Sequence, residues 1–175
     1  EHQTTPESTI VQEKLYQMVE NGCEFAVVES SSHGLSKRTN RLGDVDFDVG
    51  VMMNVTSEHL EFHGTYEQYR DDKANLFENL NLFGVVNGDD KASSLFASKT
   101  EKPVYSFIKD KTSCKEIFTE NYFMTDIKSD AKGEDFSLEV INQGDIKKLE
   151  DFRIDLPGTF NVYNSTAAAI VVSKL

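Results

Sequence analysis

Glu29, His59 and Lys73 are the side chains in this sequence whose types and spacing could do chemistry together. Glu29 closes an apolar run at 25–28, and His59 follows a second one at 47–53. If these runs are neighbouring parallel strands, their C-terminal ends share the sheet edge where α/β folds gather ligand-binding residues. Lys73 lies one helix further on. Two readings of it stand side by side. Its stem can lie along an apolar face while the ammonium reaches water. Alternatively, a desolvated amine gives up its proton readily and can add carbon dioxide, becoming an anionic carbamate with oxygens to offer a metal. Glutamate, histidine and carbamate would suit Mg²⁺ or Mn²⁺ beside a phosphate. Taken singly, each has a plainer reading as an acid at a strand end, a loop or core histidine, or a surface lysine.

The elements that must position these groups are legible from periodicity. The stretch from Asn54 to Lys73, NVTSEHLEFHGTYEQYRDDK, joins a strand-like segment at 45–55 to a helix. Gly64 permits the turn, Thr65 is the expected N-cap, and Gln68 completes a capping box. At helical spacing Tyr66, Tyr69, Lys73, Leu76, Phe77 and Leu80 share one face. Upstream, Thr5 and Pro6 read as an N-cap and first-turn pair. Val11, Leu15, Met18 and Val19 form the apolar face of a helix that Gly22 can end. The loop Ser30-Ser31-Ser32-His33-Gly34 offers hydroxyls and N–H groups to an anion, or is simply a polar turn; Lys37, Arg38 and Arg41 follow it. Downstream, a strand at 82–86 runs into Asn87-Gly88-Asp89-Asp90, followed by a helix near 91–98 and a strand at 103–107. This alternation predicts a parallel sheet. Between 117 and 154 the pattern changes to short alternating runs (122–127, 136–141, 152–156) with turns between them, predicting an antiparallel meander. Leu156-Pro157-Gly158 ends it, and a helix is expected over 161–175. The fold expected is α/β, a mostly parallel sheet flanked by helices with a small antiparallel β meander toward the C-terminal part, in one domain over 1–175.

Composition excludes some partners. The net charge of -12, from 30 acidic and 18 basic residues, argues against nucleic acid or an anionic membrane as partner. Two distant cysteines, Cys23 and Cys114, suit a reducing compartment. With no membrane-length apolar run and no leader, the expected location is the cytoplasm. Neither Gly-x-Ser-x-Gly nor Gly-Lys-Ser/Thr occurs, so a nucleotide enzyme would have to take its phosphate loop from elsewhere. The ends look cut from a longer chain.

Taken together, several segments resemble the central domain of the Mur ligases, and most closely the tripeptide-synthetase branch. They are Thr4-Thr5-Pro6-Glu7-Ser8, Glu29-Ser30-Ser31-Ser32-His33-Gly34-Leu35, Asn54 through Gly64, Lys73, and Gly158-Thr159-Phe160-Asn161-Val162-Tyr163-Asn164. The resemblance implies an ATP-dependent ligase that adds a diamino acid to UDP-MurNAc-L-Ala-D-Glu through an acyl phosphate. It implies Mg²⁺ at Glu29, His59 and a carbamoylated Lys73. Thr4, Thr5, Ser31 and Arg41 would contact the UDP-MurNAc-dipeptide, and Asn161 and Asn164 would lie near adenine. Ser30 stands where the family usually has valine. The family's phosphate loop and C-terminal domain are expected outside this segment, which alone should not catalyse ligation. Three alternatives stay open: a folylpolyglutamate synthetase-like amide ligase, a non-catalytic nucleotide- or metabolite-binding module, and a metal-dependent hydrolase using Glu29, His59 and Asp89.

Overall fold

The computed structural model describes residues 4–56 and 60–175. The chain divides into two compact units: Glu1–Phe47 with Thr56–Asn79, and Asp48–Val55 with Leu80–Leu175.

The second unit carries the sheet. Among the described residues six strands follow one another in chain order, β1 (Phe47–Met52), β2 (Leu80–Asn87), β3 (Val104–Ile108), β4 (Glu120–Ser129), β5 (Glu134–Asn142) and β6 (Asp145–Ile154). Strands β2, β3 and β4 run parallel, with Val85 opposite Tyr105 and Phe107 opposite Tyr122. Strands β4, β5 and β6 are antiparallel, with Tyr122 opposite Val140 and Phe136 opposite Phe152. The parallel part and the meander are therefore one mixed sheet. Alternation accounts for the meander: Tyr122 and Met124 on β4, and Phe136 and Leu138 on β5, point into one core. Phe83, Val85 and Phe107 extend that core, and Val162, Ala167 and Ile170 of helix α6 (Thr159–Lys174; helices numbered in chain order) cover it. A short helix, α5 (Ser93–Ser98), follows β2. Strand β1 is covered on one face: Gly50 and Met52 are buried while Val51 is exposed. It stands at one end of the strand order.

The first unit is mostly helical and corrects several expectations. Helix α1 (Ser8–Glu20) starts from Glu7, with no side-chain cap. Thr5 is buried instead of capping, and Gly22 closes the helix at φ +75°. Residues 25–28 form no strand, and Phe25 and Val27 are 73% and 98% exposed. A strand exists only through pairing, and no described strand lies beside this apolar run. Glu29 therefore ends a loop segment rather than a strand. His59 lies outside the described residues.

The next helices are α2 (Ser32–Leu35), α3 (Leu60–His63) and α4 (Tyr66–Ala74). Thr65 caps α4, accepting the Gln68 N–H at 3.1 Å, and Gly64 turns in at φ +81°. The capping box stays half closed, because the Gln68 side chain bonds Asp72 instead. The stripe expected on a single helix spans three elements: α4 ends at Ala74, a 3₁₀ turn (Asn75–Phe77) follows, and Leu80 already opens β2.

Phe107 is fully buried in the α6-covered core. Phe107→Ala in the intact protein should cost about 3–5 kcal/mol, read from the denaturation midpoint. Leu82→Ala, at a position 48% exposed on β2, should cost under about 0.5 kcal/mol.

Candidate functional site

The centre of the first unit is the hydroxyl of Thr5. Its Oγ1 donates to the Glu29 carbonyl at 3.1 Å and accepts the Ser31 N–H at 3.0 Å. Thr5 thus pins a loop that has no ladder to satisfy its backbone. Gly34 is required there, since a Cβ at that position would lie 2.6 Å from Thr5 Cγ2. The Ser31 hydroxyl caps α2, accepting the Gly34 N–H at 3.2 Å. Arg41 reaches the same place: Nη1 donates to the Thr5 carbonyl at 2.9 Å, and Nη2 pairs with Glu7 at 2.9 Å. The Arg41 side chain is 11% exposed, and its Nε is buried without a hydrogen-bond partner. Thr5, Ser31, Arg41 and the Glu29 main chain, from three stretches of sequence, are brought together. The Glu29 carboxylate and Thr4 are exposed.

Beside this loop runs a buried line of three polar side chains. Asp72 Oδ2 lies 2.8 Å from His63 Nδ1, and His63 Nε2 lies 3.0 Å from Ser32 Oγ. With Nδ1–H directed at the carboxylate, Nε2 is left to accept the serine proton. Gln68 donates to the other Asp72 oxygen at 3.1 Å. The order Ser–His–Asp is that of a nucleophilic triad. All three residues are buried, however, with Ser32 4% exposed, which denies the hydroxyl a substrate. The line instead ties α2 to α3 and α4, and so holds the Ser31 loop. In the sequence His63 and Asp72 are eclipsed by His59 and Lys73 close by. The readable signal was Gln68 and Asp72 at i, i+4.

The rings of His33, Phe62 and Tyr69 meet the His63 ring edge-on, with His33 and Phe62 centroids 4.0 Å apart. Arg38 lies over Phe62 at 4.3 Å and donates to its carbonyl. Lys73 is half-buried, its Nζ 3.5 Å from Tyr69 Oη and 5.4 Å from that ring's centroid. Ser36, Lys37, Arg38, Gln68 and Asp71 line a polar cleft of about 300 Å³ over His63 and Asp72.

In the second unit the turn after β2 is a junction. Asp89 accepts the N–H groups of Lys109 (2.7 Å) and Asp110 (3.3 Å) and the Tyr163 hydroxyl (3.2 Å). Asp90 accepts the Val55 and Ala92 N–H groups, each at 2.8 Å. Burial, and then the charge and hydrogen bond of Asp89, push the Tyr163 phenol up to about 12. The Asp89 carboxylate is engaged in holding the fold, which weakens its expected part in hydrolysis. Asn161 donates through Nδ2 to the Pro157 carbonyl at 3.0 Å, and Asn164 is exposed on α6. Among the described residues no group of three or more His, Cys, Asp or Glu forms a metal site.

Two measurements check these arrangements. Ser32→Ala and His63→Ala should each lose about 1–3 kcal/mol for the buried partner left unsatisfied. Their double mutant should show a coupling above about 0.5 kcal/mol, and strict additivity would mean the line is not connected. Tyr163 has a folded pKa above its unfolded value. Its neutral form therefore favours the fold fully below about pH 10, and that contribution is lost as pH rises through about 12. Ultraviolet titration should show a late-ionising tyrosine that Tyr163→Phe removes and Asp89→Asn shifts downward.

Comparison with known proteins places the chain. The family model of the Mur ligase middle domain matches residues 1–172. A UDP-N-acetylmuramyl-tripeptide synthetase of Treponema denticola is 47% identical over the whole of this chain, which covers 34% of that protein. A UDP-N-acetylmuramoyl-L-alanyl-D-glutamate--2,6-diaminopimelate ligase of Caldanaerobacter subterraneus is 34% identical over 98% of the chain, covering 33% of the relative. The chain thus spans about a third of the length of the curated relatives it matches. In fold it is similar to the MurF ligase of Acinetobacter baumannii, with a TM-score of 0.55 at 18% identity over 73% of this chain and 26% of that one. The chain belongs to the Mur ligase family, and its residues match the family's middle domain.

Proposed function

We propose that this chain is part of a cytoplasmic ATP-dependent ligase of peptidoglycan-precursor synthesis, which adds a diamino acid to UDP-MurNAc-L-Ala-D-Glu. The observation that carries the reading is the convergence on Thr5: Ser31, Arg41 and the Glu29 main chain meet at one residue. Thr4, Thr5, Ser31 and Arg41 bind the dipeptide substrate in this account. Arg41 supplies a fixed cation for an anionic ligand in a chain of net charge -12. Asn161 and Asn164 take the adenine.

In the reaction, the γ-phosphoryl group of ATP passes to a carboxylate of the dipeptide substrate, releasing ADP. The amine of the diamino acid then attacks the acyl phosphate carbon, expelling phosphate and losing a proton as the amide forms. Glu29, His59 and carbamoylated Lys73 would hold Mg²⁺, whose charge offsets that on the phosphoryl group. Mg²⁺ takes one or two carboxylates, with phosphate and water completing its shell. A single exposed Glu29 carboxylate and a lysine carbamate fit that need without a three-acid cage among the described residues. Carbon dioxide would add to the neutral amine of Lys73, with loss of a proton as the carbamate forms. The segment by itself is inactive in this account.

The test uses the full-length protein. ADP and phosphate should form only when both UDP-MurNAc-dipeptide and a diamino acid are present. Lys73→Ala should lower kcat by roughly 100-fold or more, the scale of losing a group that stabilises transition-state charge. With ¹³C-bicarbonate, a carbamate carbon signal should appear in the wild type and be absent from Lys73→Ala. ATP turnover independent of the dipeptide would defeat the proposal.

A further inference from the structure

We propose that Glu134 is a positioning residue for nucleotide binding, orienting the Pro157–Gly158 turn on which the Asn161 side chain aligns. The inference rests on the assignment of Asn161 to adenine.

Glu134 opens β5 and is 1% exposed, yet it has no ion pair among the described residues. Its carboxylate is satisfied by neutral donors: the Ser129 hydroxyl on Oε2 at 2.5 Å and the Gly158 N–H on Oε1 at 2.7 Å. A buried carboxylate with neutral partners is costly, and a well-packed apolar residue commonly serves stability better. What an apolar residue cannot supply is a directed acceptor aimed at one N–H.

That N–H belongs to a peptide plane with a second task. The Pro157 carbonyl, at the other end of the same peptide unit, accepts the Asn161 side-chain amide at 3.0 Å. A peptide unit is rigid and planar, with its N–H and C=O fixed relative to each other. Glu134 grips one end and Asn161 aligns on the other, so the carboxylate sets the orientation of the asparagine amide through a single plane. The Asn161 main-chain N–H returns to the Gly158 carbonyl at 2.8 Å, closing the turn.

The turn needs an outside hold. Gly158 has φ +110°, a region open to glycine, and a Cβ there would meet the Phe160 ring at 2.6 Å. It stands at the N-cap of α6 and contributes no capping side chain. The hold itself is firmly based. Glu134 pairs in register with Ile154, and the preceding Gly133 packs so closely that a Cβ there would lie 2.0 Å from the Ile154 carbonyl oxygen. The hairpin that carries Glu134 is thereby fixed to the end of β6, four residues before Gly158.

The test is steady-state kinetics of the full-length enzyme, with KM measured separately for ATP, UDP-MurNAc-dipeptide and the diamino acid. Glu134→Ala should raise the ATP KM about tenfold or more, the scale of losing a hydrogen bond to a charged group. The other two KM values and kcat should stay within a few-fold. Glu134→Gln, which keeps a carbonyl acceptor for the Gly158 N–H, should restore most of the ATP KM. Ser129→Ala should move it in the same direction as Glu134→Ala but less, and this variant serves if Glu134→Ala does not fold. A uniform change in all three KM values, or a Gln variant as impaired as the Ala variant, would overturn the proposal. So would an unchanged ATP KM in folded Glu134→Ala when Asn161→Ala raises it. An Asn161→Ala enzyme with a wild-type ATP KM would overturn the adenine assignment instead.

Discussion

Backbone outside a helix or sheet ladder must still find hydrogen-bond partners when it is buried, and this chain meets the demand with single side chains. Thr5 serves the loop at 29–31 with one hydroxyl that both donates and accepts. Asp89 and Asp90 serve the strand ends with main-chain N–H bonds, and Glu134 serves Gly158. Each of these residues is polar, at least partly withdrawn from water, and placed beside a stretch the family resemblance marks as functional. The geometry of the loops therefore depends on a few polar atoms rather than on hydrophobic area, which is spent on the sheet and α6.

The first unit shows how one such atom can be supported from behind. Ser32 follows Ser31 in the loop, and its hydroxyl leads through His63 to Asp72 in α4. The carboxylate is satisfied twice, by His63 and by Gln68, so the imidazole is held in plane and orientation. The same helix carries Lys73 on its next residue. Loop and lysine are thus referred to one short helix, whose start is fixed by Gly64 and Thr65. In a chain of net charge -12, the nearly enclosed guanidinium of Arg41 stands out as a cation whose position is set by Thr5 and Glu7.

Much of this was legible in the residues. The alternation of Tyr122, Met124, Phe136 and Leu138 predicts the meander, and Thr65 and Gly64 predict the start of α4. The run at 25–28 misled because apolar composition reports a tendency to pair, while pairing needs a neighbour that composition does not contain. Thr5 looked like a cap because Thr-Pro often is one; its actual partners lie at Glu29 and Ser31, a separation in sequence that no local rule reaches. The His63–Asp72 pair was hidden for a different reason: His59 and Lys73, each within four residues of it, are the more conspicuous candidates. Gln68 was assigned to the box it half completes, since a side chain with two local partners chooses by geometry. Strand β6 begins at Asp145, ahead of the apolar residues, because its early residues pair across the hairpin without needing a buried face.

The strand order has a consequence for how the molecule is made. All six strands lie side by side in the order in which the ribosome delivers them. From β2 onward the connections are short, and the hairpins joining β4, β5 and β6 are shorter still. Each strand after the second emerges next to a partner already present, so the sheet can grow from one side by addition, without waiting for a distant segment. Local pairing of this kind lowers the entropy lost in loop closure and speeds folding. The long excursion between β1 and β2 is the exception, and it passes through the unit that holds Thr5 and Lys73. Sheet growth from β2 to β6 can proceed independently of that excursion, leaving the binding loops to be ordered on their own schedule.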